Sequence, residues 1–251
     1  TLESSDAVFV EGVQLSIEEQ FQRNKLIDEI KTKGYGQIIE EVAYTWFNRF
    51  TALRFMEVNN YLPTKIRVLS SKDEGSYEPD IIKEALNIKL DVDKELLYKL
   101  RTSNENDAID KLYKYLIIKQ CDSLSDILPF LFGKTDDFTK LLFPDGLLQS
   151  SFLKDLTDLN NISEEDWKKV EILGWLYQYY IAEENERVIR AKKKYKKEEI
   201  PFATQLFTPD WIVRYMVQNT LGRYWIESHP EDRGIIEKWE FYLENPNPDI
   251  D

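Results

Sequence analysis

The chain has 251 residues, 42% of them hydrophobic, with a formal net charge of −13 and a pI near 4.8. That apolar content suits one large core or two modest ones and excludes a disordered tail, while an evenly acidic surface repels nucleic acid, so any contact with it must be local. One cysteine, Cys121, excludes an intramolecular disulfide and a cysteine metal cluster and points to a reducing, cytoplasmic compartment.

Nine Gly and nine Pro are few for this length, and apolar residues recur with period 3.6 nearly everywhere, so the expected fold is mainly α. No apolar run approaches the ~18 residues of a membrane span and no signal peptide opens the chain. Thr1 in place of Met reads as a trimmed start.

The opening TLESSDAVFVEGVQ reads as an arm or short strand. Ser16 and Glu19 have capping-box spacing and introduce a helix to about Lys33, which GYG at 34–36 ends. That GYG lacks the further glycine and lysine of a phosphate cradle, so it is read as a turn. Residues 37–59 give the strongest helix, with Ile39, Val42, Ala43, Trp46, Phe50 and Leu53 on one stripe. Its Arg49 and Arg54 read as a snorkelling rim to that core rather than a nucleic-acid face. Residues 65–70 alternate Ile66 and Val68 with charges, the best strand candidate, and at most one small strand pair is expected.

Pro79 opens a helix through Leu86, and residues 91–100 and 107–120 form a second helical group joined by TSNEND. The latter carries Ala108, Ile109, Leu112, Tyr113, Leu116 and Ile117 in register, and Cys121 reads as a small hydrophobe at its end. Residues 122–160 are punctuated by Pro129, Gly133, Pro144 and Gly146 and read as short helices and tight turns. Asp136 and Asp137 are adjacent, so they form no carboxylate dyad on one helix face. Ser163 with Asp166 caps a helix whose Ile172, Leu173, Leu176, Tyr179 and Tyr180 form an aromatic-rich core stripe, thickened by Trp175 and Tyr177. No metal site is suggested, and the lone His229 in SHPEDRG reads as a surface residue.

Two features carry chemistry. The run RVIRAKKKYKK sets Arg187, Arg190, Lys192, Lys193, Lys194, Lys196 and Lys197 together in an acidic chain, as a phosphate-contacting element or a solvated helix end. Beyond it, PFATQLFTPDWIVRYM reads as a loop delivering a helix, with Thr208 as N-cap and Pro209 at the first helical position. Its Ile212, Val213, Met216, Val217, Thr220 and Leu221 are spaced as one buried face.

TQLFTPDWIVRYMV resembles the cofactor-side motif of amino-methyltransferases that modify adenine in DNA, in which F-T-P opens a helix beside S-adenosylmethionine. With EEVAYTWFNRFTALRFMEVNNYLP, IPFATQLFTPDWIVRYMVQNTLGRYW and KWEFYLENPNPDI, essentially the whole chain resembles the N-terminal portion of the PglX (BrxX) family, adenine-specific DNA methyltransferases of BREX phage-defence systems. The resemblance implies a cytoplasmic enzyme that moves a methyl group from S-adenosylmethionine to adenine N6 of a flipped base, with DNA and other BREX proteins as partners. It implies that Phe207, Thr208 and Pro209 line the methionine end of the cofactor, Thr208 by a hydrogen bond. NPNPDI is not the family's catalytic tetrapeptide, and no D-x-x-x-G-x-G turn occurs. The chain is thus expected to be a helical N-terminal domain, 1–198, with possible subdivision near 60–80 and 122–160. It leads at 199–251 into the first helix of an α/β methyltransferase core, without catalytic residues. The rival expectation is a non-enzymatic helical interaction module for protein partners or DNA.

Overall fold

Capping chemistry sets the first boundaries. In a computed structural model that describes residues 2–3, 8–10, 13–73, 75–133, 138–197 and 199–244, α1 spans Ile17–Lys33. The Ser16 hydroxyl accepts from the Glu19 amide at 3.2 Å, and the Glu19 carboxylate accepts from the Ser16 amide at 2.8 Å, a complete capping box. Gly34, at φ 91°, ends α1 by donating its N–H to the Ile30 carbonyl. Gly36 then lies inside α2, Tyr35–Val58, which begins two residues earlier than its periodicity predicts.

The chain divides into two compact units, 1–169 and 170–251. The expected boundary at 198 therefore falls within the second unit, because the loop that precedes Pro209 packs on a helix beginning at Glu171 (below).

The mainly helical expectation holds. Among the described residues extended structure lies at the start of the chain and exceeds the one strand pair expected: β1 (Leu2–Glu3), β2 (Val8–Val10) and β3 (Val13–Gln14) form a small antiparallel sheet in that order, with Leu2 opposite Phe9 and Val10 opposite Val13. Residues 65–70 form no strand. The amides a ladder would use are taken by a side chain: the buried Glu57 carboxylate accepts from Val68 N at 2.6 Å and Leu69 N at 2.8 Å.

Helix α2 is the centre of the first unit. Ile38, Val42, Trp46, Phe50 and Leu53 are buried, whereas Ile39 and Ala43 of the expected stripe are exposed. Trp46 stands edge-on to Phe143 at 4.8 Å, and Phe50 contacts both Phe143 and Phe152. Arg49 and Arg54 are not a rim. Both are buried, Arg49 donating to the Leu131 carbonyl and the Thr139 hydroxyl, and Arg54 to Glu57 and Ser70.

Helix α3 is a single turn, Asp80–Lys83, shorter than expected. Asp93 caps α4, Lys94–Thr102, which packs on α5, Ala108–Ser125. Helix α5 runs five residues past its expected end, buries Cys121 and turns Ile109 outward. Residues 129–157 bear out the short-helix reading: α6 (Pro129–Phe132), 3-10 turns at Phe138–Leu142 and Leu147–Gln149, and α7 (Ser151–Thr157). Asp136 and Asp137 lie outside the described residues. The Ser163 hydroxyl caps α8, Glu164–Trp167, but that helix stops after four residues.

The second unit contains α9 (Glu171–Tyr180), α10 (Ala182–Arg190), α11 (Ile200–Thr204), α12 (Asp210–Val217), a π-helical turn (Gln218–Gly222) and α13 (Arg223–Ser228). A 3-10 segment, Pro230–Lys238, follows. No helix among the described residues is long and apolar enough to cross a membrane.

Candidate cofactor-side segment and basic loop

The F-T-P segment is seated on α9. Gly174 is buried in the middle of that helix, and a Cβ built on it would stand 2.5 Å from Cγ and Cδ1 of Phe207, so the ring occupies the space a side chain would take. The Tyr177 ring meets Phe207 edge-on at 6.0 Å, the Tyr177 hydroxyl donates to Gln205 Oε1, and the Gln178 amide makes a long contact, 3.4 Å, to the Phe207 carbonyl. Phe207 nonetheless remains 51% exposed. One side of the ring is fixed by the protein and the other is open.

Helix α12 starts one residue later than the sequence predicts. Pro209, not Thr208, is the N-cap, at φ −53° and ψ 140°, and its carbonyl accepts from Ile212 N and Val213 N. No side chain caps the helix, so the Thr208 hydroxyl is not spent on that role. Asp210 and Arg214 pair across one turn at 2.5 Å, the arginine exposed and the aspartate half-buried.

The expected buried face is also corrected. Val213, Met216, Val217, Thr220 and Leu221 are exposed and Ile212 is half-buried. Leu206, Trp211, Tyr224 and Trp225 add to this open apolar surface. On α9, Tyr179 and Tyr180 are exposed rather than core; only Ile172 and Gly174 are buried there. The amphipathic spacing is real, but nothing within the described second unit covers that side of the helix.

Beyond α12 the chain is fastened by amides. Gln218 Oε1 accepts from Phe241 N at 2.8 Å, and Asn219 donates to the Phe241 carbonyl and accepts from Leu243 N, so two adjacent side chains hold the backbone of 241–243. Both residues lie at the start of the π-turn and reach the same short stretch of chain. Gly222 completes the contact: a Cβ there would lie 2.8 Å from the Trp239 ring. His229 stacks on Trp225 at 3.9 Å and is half-buried, away from Phe207 in sequence and bonded locally to the Trp225 carbonyl.

The basic run divides into two parts. Arg187 bonds Glu184 and lies near Glu199, which together raise its pKa, and Arg190 pairs with Glu186. Lys192, Lys193, Lys194, Lys196 and Lys197 are exposed in the loop after α10, and none of the five forms an ion pair among the described residues. That loop is mounted at its base by the Lys196 amide on Glu199 and by Asn185 on the Phe202 carbonyl. The arrangement is a cationic loop on a fixed base.

Gly174, Tyr177, Gln178, Gln218 and Asn219 were not singled out as site residues by sequence reasoning. A glycine inside an aromatic-rich helix was the available signal, since it forgoes about 1 kcal/mol of helix propensity relative to alanine and often marks close approach. The pair Gln218–Asn219 left none, because its partners lie 22 to 24 residues away. Among the described residues no group of three or more His, Cys, Asp or Glu side chains is placed to hold a metal.

No protein-family model matches the chain. Over 226 residues, 89% of the chain, it is 42% identical to the adenine-specific methyltransferase BrxX of Escherichia coli O9:H4 (strain HS), and over an alignment covering 95% of the chain it is 40% identical to the adenine-specific methyltransferase PglX of Lacticaseibacillus casei (strain Zhang). The matches cover 18% and 22% of those proteins, so the chain spans about a fifth of the length of the curated relatives it matches. The resemblance read in the sequence is thereby borne out.

Proposed function

We propose that this chain supplies the helical portion and the cofactor-side edge of an adenine-N6 DNA methyltransferase of the BREX type. The observation that carries the reading is the F-T-P segment itself, held on α9 with Phe207 half open and Thr208 free of a capping role. An apolar ring and an adjacent hydroxyl suit the methionine end of S-adenosylmethionine, whose bound sulfonium supplies the methyl group. In this reading Phe207 packs against the cofactor's aliphatic part, Thr208 donates to or accepts from its amino-acid end, and Pro209 fixes the backbone between them.

The open apolar side of α12 and α13 receives the remainder of the catalytic domain, which brings the target-base tetrapeptide and the glycine-rich turn that these 251 residues lack. The segment alone therefore transfers no methyl group. The reading places the intact protein in the cytoplasm, with DNA as substrate and other BREX proteins as partners. Mapping of modified bases in DNA from cells carrying the intact protein tests it. N6-methyladenine at one short motif is expected, and loss of that mark on Phe207→Ala. A genome without modified adenine while the protein is expressed contradicts the reading.

The lysine loop is the DNA-facing element of the same reading, and Arg187 and Arg190 are its internal bracing. If five phosphates are met, the log–log salt slope for duplex binding carries about −4.5 from this loop. Changing Lys192, Lys193, Lys194, Lys196 and Lys197 to glutamine in the intact protein is expected to flatten the slope by about that amount. Fluorescence anisotropy of a labelled duplex between 50 and 200 mM salt reads it, and an unchanged slope removes the loop from the interface.

A further inference from the structure

We propose that Gly174 is a positioning residue for the cofactor-side segment: by having no side chain it fixes where the Phe207 ring stands, thirty-three residues further along the chain. The inference rests on the reading that Phe207 meets the cofactor, and adds what places it there. Ordinary carbon contacts begin near 3.4 Å, whereas the Cβ position of Gly174 is 2.5 Å from two ring carbons and 3.0 Å from a third. Any side chain at 174 therefore displaces the ring by about 1 Å.

The direction of that displacement is restricted. Tyr177 stands edge-on beside the ring, its hydroxyl holds Gln205, and Gln178 reaches the Phe207 carbonyl, so the segment is braced along α9 on the flank toward the helix C-terminus. A ring pushed off Gly174 moves outward, into the space its open face presents. Helix geometry explains the residue set: 174, 177 and 178 lie at i, i+3 and i+4 and share one side of α9. The glycine seats the ring, while Tyr177 holds the Gln205 side chain and Gln178 holds the Phe207 carbonyl.

The test is a double-mutant cycle in the intact protein, with S-adenosylmethionine titrated by calorimetry into wild type, Gly174→Ala, Phe207→Leu and the double variant. Leucine keeps an apolar side chain but is flexible enough to yield to a methyl group at 174. Gly174→Ala is expected to weaken cofactor binding by roughly 10-fold or more in the Phe207 background, from a displacement of about 1 Å, and to change it by less than about 2-fold in the Phe207→Leu background. Melting curves accompany each variant. An equal loss in both backgrounds, or a Gly174→Ala protein that fails to fold in both, makes Gly174 merely structural and overturns the proposal. Weak binding by Phe207→Leu with an unaffected Gly174→Ala overturns the proposal alone. Wild-type affinity in all four proteins removes Phe207 from the cofactor and so overturns the underlying reading as well.

Discussion

Replacing Glu57 by alanine is expected to destabilise the first unit by about 3–5 kcal/mol, the cost of stripping a buried charge of its partner. The Glu57 carboxylate is fully buried and serves four donors: the amides of Val68 and Leu69, the Ser70 hydroxyl and the Arg54 guanidinium, the last at 2.7 Å. Its loss leaves Arg54, 1% exposed, with only Ser70 as a hydrogen-bond partner among the described residues and lying over the Trp167 ring at 5.8 Å. It also frees the 68–70 backbone, whose Val68 carbonyl accepts from the Tyr113 hydroxyl. Burial, with a contribution from Glu57, raises the pKa of that phenol, so it stays protonated and keeps donating. Urea unfolding followed by circular dichroism reads the loss. A change below about 1 kcal/mol, the range of a surface pair, contradicts the role assigned to Glu57.

Trp46→Ala is expected to cost a similar amount, about 3–5 kcal/mol, by a different mechanism. The indole fills the space between Phe50 and Phe143 and is covered by the Arg49 guanidinium at 5.0 Å. Its N–H donates to the Thr139 carbonyl at 2.9 Å, so alanine leaves both a cavity and an acceptor without that donor. Trp46→Phe keeps much of the volume and is expected to recover more than half of the loss in the same unfolding assay. Equal stability of the two variants places the contribution in the hydrogen bond instead.

These two residues also divide what was legible in the chain from what was not. Trp46 lies on a stripe with Val42, Phe50 and Leu53, so the 3.6-residue spacing identifies it as core directly. Its partner Thr139 is 93 residues away in a punctuated segment, and no local pattern pairs them. Glu57 escapes notice because a glutamate near a helix end is ordinarily solvated, and only the fold brings the amides of 68 and 69 to it. The same long-range capture explains why the alternating residues 65–70 form no strand. At Ser16 and Glu19 the signal and its partner are three residues apart, and the structure matches the expectation.

In the second unit the period of α12 is right and its burial is not. Spacing reports that a helix has an apolar side; it does not report whether the cover belongs to the same segment of chain. Phe207, Thr208 and Pro209 were legible as a motif, while the means of holding them, Gly174, Tyr177 and Gln178, depend on the fold. The C-terminal clamp by Gln218 and Asn219 is of the same kind.

The F-T-P segment is proposed as the place where the intact protein meets S-adenosylmethionine. Amide hydrogen exchange of the intact protein, with and without the cofactor, decides it, because each backbone amide reports its own protection. Binding is expected to slow exchange at 205–213, around Phe207, Thr208 and the first turn of α12, and to leave the buried amides of α2 unchanged. Cofactor binding that protects other segments and leaves exchange at 205–213 as it was contradicts the claim.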